Sequence, residues 1–196
     1  MDLQHAEKNL FPAKMRKTHK TAVVIIPPEN VWAPIQKIRK QYDKQFRRWM
    51  PHITLIYPFR PFEEFEKVYT EFEIACKEMQ SFEIELAEFR FFKHYGENYT
   101  IWLAPEPKDK IVKLQEKLQS IVPDCDDVRK FEDGFTPHLS VGQVKGKENL
   151  ERLLKELQIA WEKLEFEVNS VFFIWRNEPP DDVFRVWREV KFGNQN

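Results

Sequence analysis

Two pentapeptides limit what this chain can fold into: Pro51-His52-Ile53-Thr54-Leu55 and Pro137-His138-Leu139-Ser140-Val141. Each reads proline, histidine, apolar, hydroxyl, apolar. Side chains alternate along a β-strand, so such a run sends its histidine and hydroxyl to one face and its two apolar residues to the other. One copy alone is a weak signal. Chance yields the pattern on the order of 10⁻³ times in a chain of this composition, so two copies point to a duplicated fold whose halves share a cleft.

The rest of the chain suits such a unit. Its 196 residues fit one domain or two small lobes with a common core, and 42% apolar residues, 17 Phe among them, can fill it. Lysine and arginine (31) nearly balance aspartate and glutamate (32), which argues against a protein that coats long nucleic acid. A nucleotide or an RNA end is compatible with that charge. Two cysteines, Cys76 and Cys125, are too few for a disulfide-framed secreted module and are read as free thiols. No apolar run approaches the ~20 residues of a membrane span, and the first residues are polar, so the expectation is a cytoplasmic protein, with the nucleus as the alternative.

Residues 1–20 show no period and are expected to form a flexible tail; its Lys14, Arg16, Lys17 and Lys20 are read as solvated. The β-branched run 21–26 predicts a buried strand ended by Pro27 and Pro28. Asn30 is positioned to cap a helix to about residue 42, with Ile35 and Ile38 inward. Lys44, Arg47 and Arg48 read as a solvated loop, with contact to a substrate phosphate as the alternative. The motif strand is expected over 52–59, with Tyr57 and Phe59 on the face opposite His52. Phe62, Phe65, Tyr69, Phe72 and Cys76 then recur at helical spacing. A hairpin follows over 82–92 and 99–103, its turn beside His94, which is read as a surface histidine. Asp109 is positioned to cap a helix to residue 120, and 123–134 reads as a polar loop whose Asp124, Asp126, Asp127 and Asp133 lack calcium-loop spacing. The second motif strand is expected over 137–144, a leucine-striped helix over 147–159, and strands over 166–175 and 183–192. The order is a repeated βαβαββ plan.

Two histidines facing each other across a cleft can break a phosphodiester without a cofactor. One takes a proton from the nucleophile, the other protonates the departing oxygen, and an imidazole that titrates near ~6.5 serves either role. Thr54 and Ser140 can donate to the phosphate oxygens on which charge accumulates. Phe135, Trp32, Phe92 and Trp175 are candidates for stacking on a base, against the commoner alternative of core packing. No third ligand adjacent in sequence offers itself for a metal, so none is expected.

The motif pair resembles the two His-x-Thr/Ser motifs of the two-histidine (2H) phosphoesterase superfamily, which includes RNA 2′,3′-cyclic phosphodiesterases (once called 2′-5′ RNA ligases), plant cyclic nucleotide phosphodiesterases and 2′,5′-oligoadenylate phosphodiesterases. The element order fits over residues 21–192. The resemblance implies an α+β, bilobal duplicated fold in which two antiparallel-rich sheets form a central cleft with helices outside. The lobes are expected at about 21–107 and 108–192, with exchange of terminal strands left open. It also implies His52 and His138 as the acid/base pair and Thr54 and Ser140 as phosphate binders. The expected substrate is a nucleotide or short RNA bearing a 2′,3′-cyclic phosphate or a 2′,5′ linkage, handled by a monomer with no membrane partner. The competing reading is a module that binds a nucleotide or RNA end in the same cleft without turnover.

Overall fold

The computed structural model describes residues 16–130 and 134–193. Eight strands and four α-helices among them form two antiparallel four-stranded sheets. The helices cover one face of each sheet. Alternation explains the first strand, β1 (Thr21–Ile25): Val23 and Ile25 enter the main core while Ala22 and Val24 enter a second apolar cluster on the opposite face. A strand with no polar face must be interior, and β1 lies between β2 (Ile53–Ile56) and β7 (Ser170–Trp175), with β8 (Arg185–Lys191) outermost.

The second sheet runs β5 (Leu139–Lys145), β4 (Asn98–Glu106), β3 (Phe82–His94), β6 (Leu164–Val168). Each motif strand, β2 and β5, is therefore an edge strand beside the first strand of its own unit. The orders are equivalent: β1–α1–β2 corresponds to β4–α3–β5, where α1 is Trp32–Tyr42 and α3 is Lys108–Gln119. Strand β4, which the sequence presents as the return arm of a hairpin, thus opens the second repeat. Both sheets draw strands from either side of residue 107, because β7 and β8 join the sheet of β1 and β2.

That exchange also splits the apolar run 166–175, which the pattern presents as one strand. It holds β6, paired with β3, and β7, paired with β1, in different sheets. Asn169 marks the break, and its carbonyl accepts from Phe192 N–H at 2.8 Å. Apolar alternation continues across the break, so periodicity cannot reveal it.

Helix α2 (Phe65–Lys77) buries Phe65, Val68, Phe72 and Cys76, and α4 (Lys147–Ala160) buries Leu150 and Leu153, all in the main core. Neither predicted cap acts as one. Asn30 lies in a 3-10 turn, Glu29–Val31, ahead of α1, and Asp109 sits inside the first turn of α3, where a carboxylate favours the positive end of the helix.

Residues 1–15 of the expected tail, Lys14 included, lie outside the described residues, but its last part is fastened. Thr18 and Phe59 exchange backbone hydrogen bonds at 2.7 and 3.2 Å. Lys17 pairs with Asp127 and donates to the Asp124 carbonyl at 2.8 Å. Buried Arg60 holds the Asp124 carboxylate, and Lys130 pairs with Asp126 at 2.9 Å. The acidic loop is thus cation-paired and ties both ends of the first unit to the approach to the second motif; Asp133 lies outside the described residues.

Candidate active site

Each motif begins with a buried proline and buries its two apolar residues, while His52, Thr54, His138 and Ser140 are half-buried. The period of two therefore holds through the motifs. It fails immediately afterwards, and at the same place in both. Val24 pairs with Thr54 and Val23 with Ile56, so Leu55 is an extra residue; Trp102 pairs with Ser140 and Ile101 with Gly142, so Val141 is its counterpart. A bulge of this kind bends the strand and reverses which face later residues meet. Ile56 is consequently buried in the main core, and Tyr57 packs on the second apolar cluster with Trp49, correcting its expected placement opposite His52. Phe59 is core, as read.

The histidines are anchored alike. Nδ1 of His52 lies 2.8 Å from the Met50 carbonyl, and Nδ1 of His138 lies 2.8 Å from the Thr136 carbonyl. A carbonyl only accepts, so each Nδ1 carries the proton and each Nε2 keeps its lone pair. Neither Nε2 has a hydrogen-bond partner among the described residues.

Burial pushes His52 down to about 4; the Met50 carbonyl opposes this, while the Arg39 guanidinium and His138 add to it and Asp43 works against it. The strands that carry the two imidazoles, β2 and β5, come into contact across the two sheets. Burial also lowers His138, opposed by the Thr136 carbonyl. Both rings are therefore neutral near pH 7.

Their supports differ. His52 lies flat against Trp49, ring centres 4.4 Å apart at 16°, and Trp49 lies against Phe184 at 3.7 Å. His138 instead meets the edges of Phe92 (4.9 Å) and Trp102 (5.9 Å), which stack on each other at 4.8 Å. The Trp102 indole N–H is buried without a partner among the described residues, an arrangement that costs stability and is uncommon in a settled core.

Between the motif strands runs a polar bridge. Arg39, buried in α1, donates to Asp43 at 2.9 Å and to the Trp49 carbonyl at 2.9 Å; Asp43 accepts from Gln143 of β5 at 3.3 Å, and Gln143 accepts from Lys44 N–H at 2.9 Å. Gly142 makes room for it, since a Cβ there would lie 2.5 Å from the Tyr42 Cβ.

Of the proposed stacking residues, Phe92 lies beside a histidine. Phe135 is buried in the main core, which removes its ring from a ligand's reach. Trp32 donates its indole N–H to the Pro27 carbonyl at 2.7 Å, and Trp175 packs against Phe62 at 4.7 Å on the core side. Neither touches a histidine. Arg47 and Arg48, read as solvated or phosphate-facing, both grip buried Asp182. Trp49 and Trp102 are the site residues that the pattern did not single out. Trp49 precedes the motif in a loop, and Trp102 sits in a strand of alternating aromatic and aliphatic residues that reads as core.

His94 Nε2 meets Thr100 Oγ1 at 2.9 Å near the hairpin tip, exposed as expected. No cluster of three or more metal-ligating side chains occurs among the described residues, nor any helix long and apolar enough to cross a membrane.

Three similarities bear on this arrangement. A protein of Geobacillus kaustophilus (strain HTA426), named for phosphoesterase activity, is 33% identical over 125 residues, covering 63% of this chain and 69% of its own. TT0787 of Thermus thermophilus shares the fold with a TM-score of 0.62 at 18% identity, over 90% of this chain and 100% of that one. Escherichia coli LigT, crystallised with 3′-AMP, matches with a TM-score of 0.57 at 12% identity, over 91% and 100%. The profile of the 2′-5′ RNA ligase superfamily covers residues 27–180, both motifs included, and the chain belongs to that superfamily of phosphoesterases.

Proposed function

We propose that this phosphoesterase is a metal-independent phosphodiesterase that hydrolyses a 2′,3′-cyclic phosphate or a 2′,5′-phosphodiester in a nucleotide or short RNA. His52 and His138 act as its acid and base, and Thr54 and Ser140 bind the phosphate. The observation that carries the reading is the duplicated anchoring: two imidazoles, each fixed through Nδ1 to a carbonyl two residues earlier, each with a free Nε2 and a hydroxyl two residues on. A single histidine so held is ordinary; a matched pair on two strands that meet is the minimum equipment for in-line displacement at phosphorus.

In the reaction one Nε2 removes a proton from water as its oxygen attacks phosphorus. The bond from phosphorus to the departing ribose oxygen breaks, and the other imidazole, protonated at Nε2, supplies the proton that oxygen needs. Thr54 and Ser140 donate to the non-bridging oxygens, where negative charge grows. Because burial disfavours the charged form of both rings, the proton for the acid depends on the substrate. An anionic phosphate between the rings favours the imidazolium and raises whichever histidine is to donate. Phe92, half-buried and 4.9 Å from His138 between ring centres, is the candidate stacking contact for a base next to that phosphate. That LigT was crystallised with 3′-AMP supports a nucleotide in the corresponding cleft.

The test is a panel of 2′,3′-cyclic mononucleotides, 2′,5′-linked dinucleotides and 3′,5′-linked controls incubated with the protein, with products resolved chromatographically. Hydrolysis of one of the first two classes is expected. A protein that only binds would gain thermal stability from these compounds and release no product, and that result would overturn the reading.

A further inference from the structure

The loop that leads into the first motif and the loop that leads into β8 are locked together, and the lock ends on His52. Asp182, with 1% of its side chain exposed, accepts from Arg48 Nε at 2.7 Å and also grips Arg47. Beside it, Phe184 N–H donates to the Arg48 carbonyl at 2.8 Å. These contacts seat Phe184 flat on Trp49, and Trp49 is in turn flat on His52. The Arg176 guanidinium also lies over the Phe184 ring, 5.6 Å from its centre.

His138 has no such brace. Its two aromatic neighbours, Phe92 and Trp102, belong to adjacent strands of its own sheet and are held in place by ladder hydrogen bonds. Trp49 lies in a loop; its N–H donates to the Gln45 carbonyl at 3.1 Å and its carbonyl accepts from Arg39 at 2.9 Å, bonds that hold the backbone and leave the indole ring to be placed by packing. The C-terminal hairpin supplies the missing constraint.

We infer that Asp182 is a positioning residue for His52, acting through Arg48, Phe184 and Trp49 to keep the imidazole flat beneath the indole and shielded from water. Its catalytic meaning rests on the function proposed above; the geometry does not.

The charged groups that act on His52 are Arg39 and Asp43 from the end of α1 and His138 from β5; Arg47, Arg48, Asp182 and Arg176 surround the rings stacked beyond it, and Tyr57 stands edge-on to Trp49. Removing the Asp182 charge has two opposite effects on His52. Two unneutralised guanidinium groups would push the titration of His52 further down, whereas a loosened indole admits water and lets it rise. The sign of the change separates positioning from charge alone.

The experiment is histidine side-chain NMR of the full chain across pH, for wild type, Asp182→Asn and Phe184→Leu, with a turnover assay alongside. In both variants the His52 midpoint is expected to rise by about one pH unit or more from its low value as water reaches the ring, while that of His138 stays in place. Turnover should fall about tenfold in kcat with KM little changed, as for a misplaced catalytic group. Phe184→Leu keeps the Asp182 carboxylate and its arginine pairs, so a rise there does not come from a lost carboxylate, and it decides the matter alone if Asp182→Asn does not fold. A His52 midpoint that stays or falls, or midpoints of both histidines that move together as in general loosening, would overturn the inference. Absence of any wild-type turnover would instead overturn the proposed function and leave the titration readable.

Discussion

Leu55 and Val141 occupy the same place in the two motif strands: each is the unpaired residue of a bulge one position beyond the hydroxyl. Each is also fully buried. The repeat therefore extends past residue type to a shared irregularity of the backbone, and that irregularity ends the run of side chains facing the histidine just after the hydroxyl. Thr54 and Ser140 are thus the last motif residues aligned with His52 and His138.

The matched anchoring leads to matched losses. His52→Ala and His138→Ala should each remove most turnover, by about 10³ or more in kcat. The double variant should cost little beyond either, since groups acting in one proton relay are not additive. Steady-state kinetics on a cyclic mononucleotide checks this, and a double variant at wild-type rate refutes the acid/base roles.

Under the proposed mechanism, Thr54→Ala and Ser140→Ala remove donors that act at the transition state. Each should lower kcat by roughly 10 to 10³, with the melting temperature nearly unchanged because neither hydroxyl has a protein partner among the described residues. Thermal unfolding beside the kinetics separates the two effects.

Stability should depend on pH in a definite direction. The folded state holds His52 at about 4 and His138 below its ordinary value, so between that range and the unfolded value near 6.5 the unfolded chain binds more protons. The stabilisation is present above about pH 6.5 and is lost as pH falls toward 4. Melting temperatures from pH 7.5 to 4.5 should decline more shallowly in His52→Gln than in wild type. Equal slopes would contradict the burial argument.

Turnover should survive excess chelator, because in the proposed mechanism the two imidazoles supply both proton transfers. Inorganic phosphate should also move both histidine midpoints upward in NMR titration, since an anion stabilises either imidazolium. Activity abolished by chelation and restored by a divalent metal would refute the mechanism, and midpoints unmoved by phosphate would remove the proposed source of the acid's proton.

Gly142→Ala tests the packing of α1 on the second motif strand. A Cβ 2.5 Å from that of Tyr42 cannot be accommodated without movement, and the expected cost is about 1–3 kcal/mol. Denaturant unfolding measures it. An unchanged midpoint would mean that α1 shifts freely, and the Asp43–Gln143 link would then be of little consequence.

The sequence by itself determined what is local. Periodicity places both motifs on strands, sets the helix faces that carry Phe65, Phe72, Leu114 and Leu150, and puts His52 with Thr54, and His138 with Ser140, on common faces. Only the tertiary structure decided what depends on long-range pairing. The exchange of β6 and β7 between sheets is silent in a continuous apolar run. The bulge at Leu55 turns Tyr57 toward Trp49 against the strand parity. Phe135 proved to be core although it stands three residues before His138. Trp49 became a support for His52 through Phe184, a residue from the far end of the chain. Alternation reports which side of a strand a residue takes, whereas the partner across a sheet or beneath a ring is chosen by the closing of loops over a hundred residues apart, and that choice leaves no period to read.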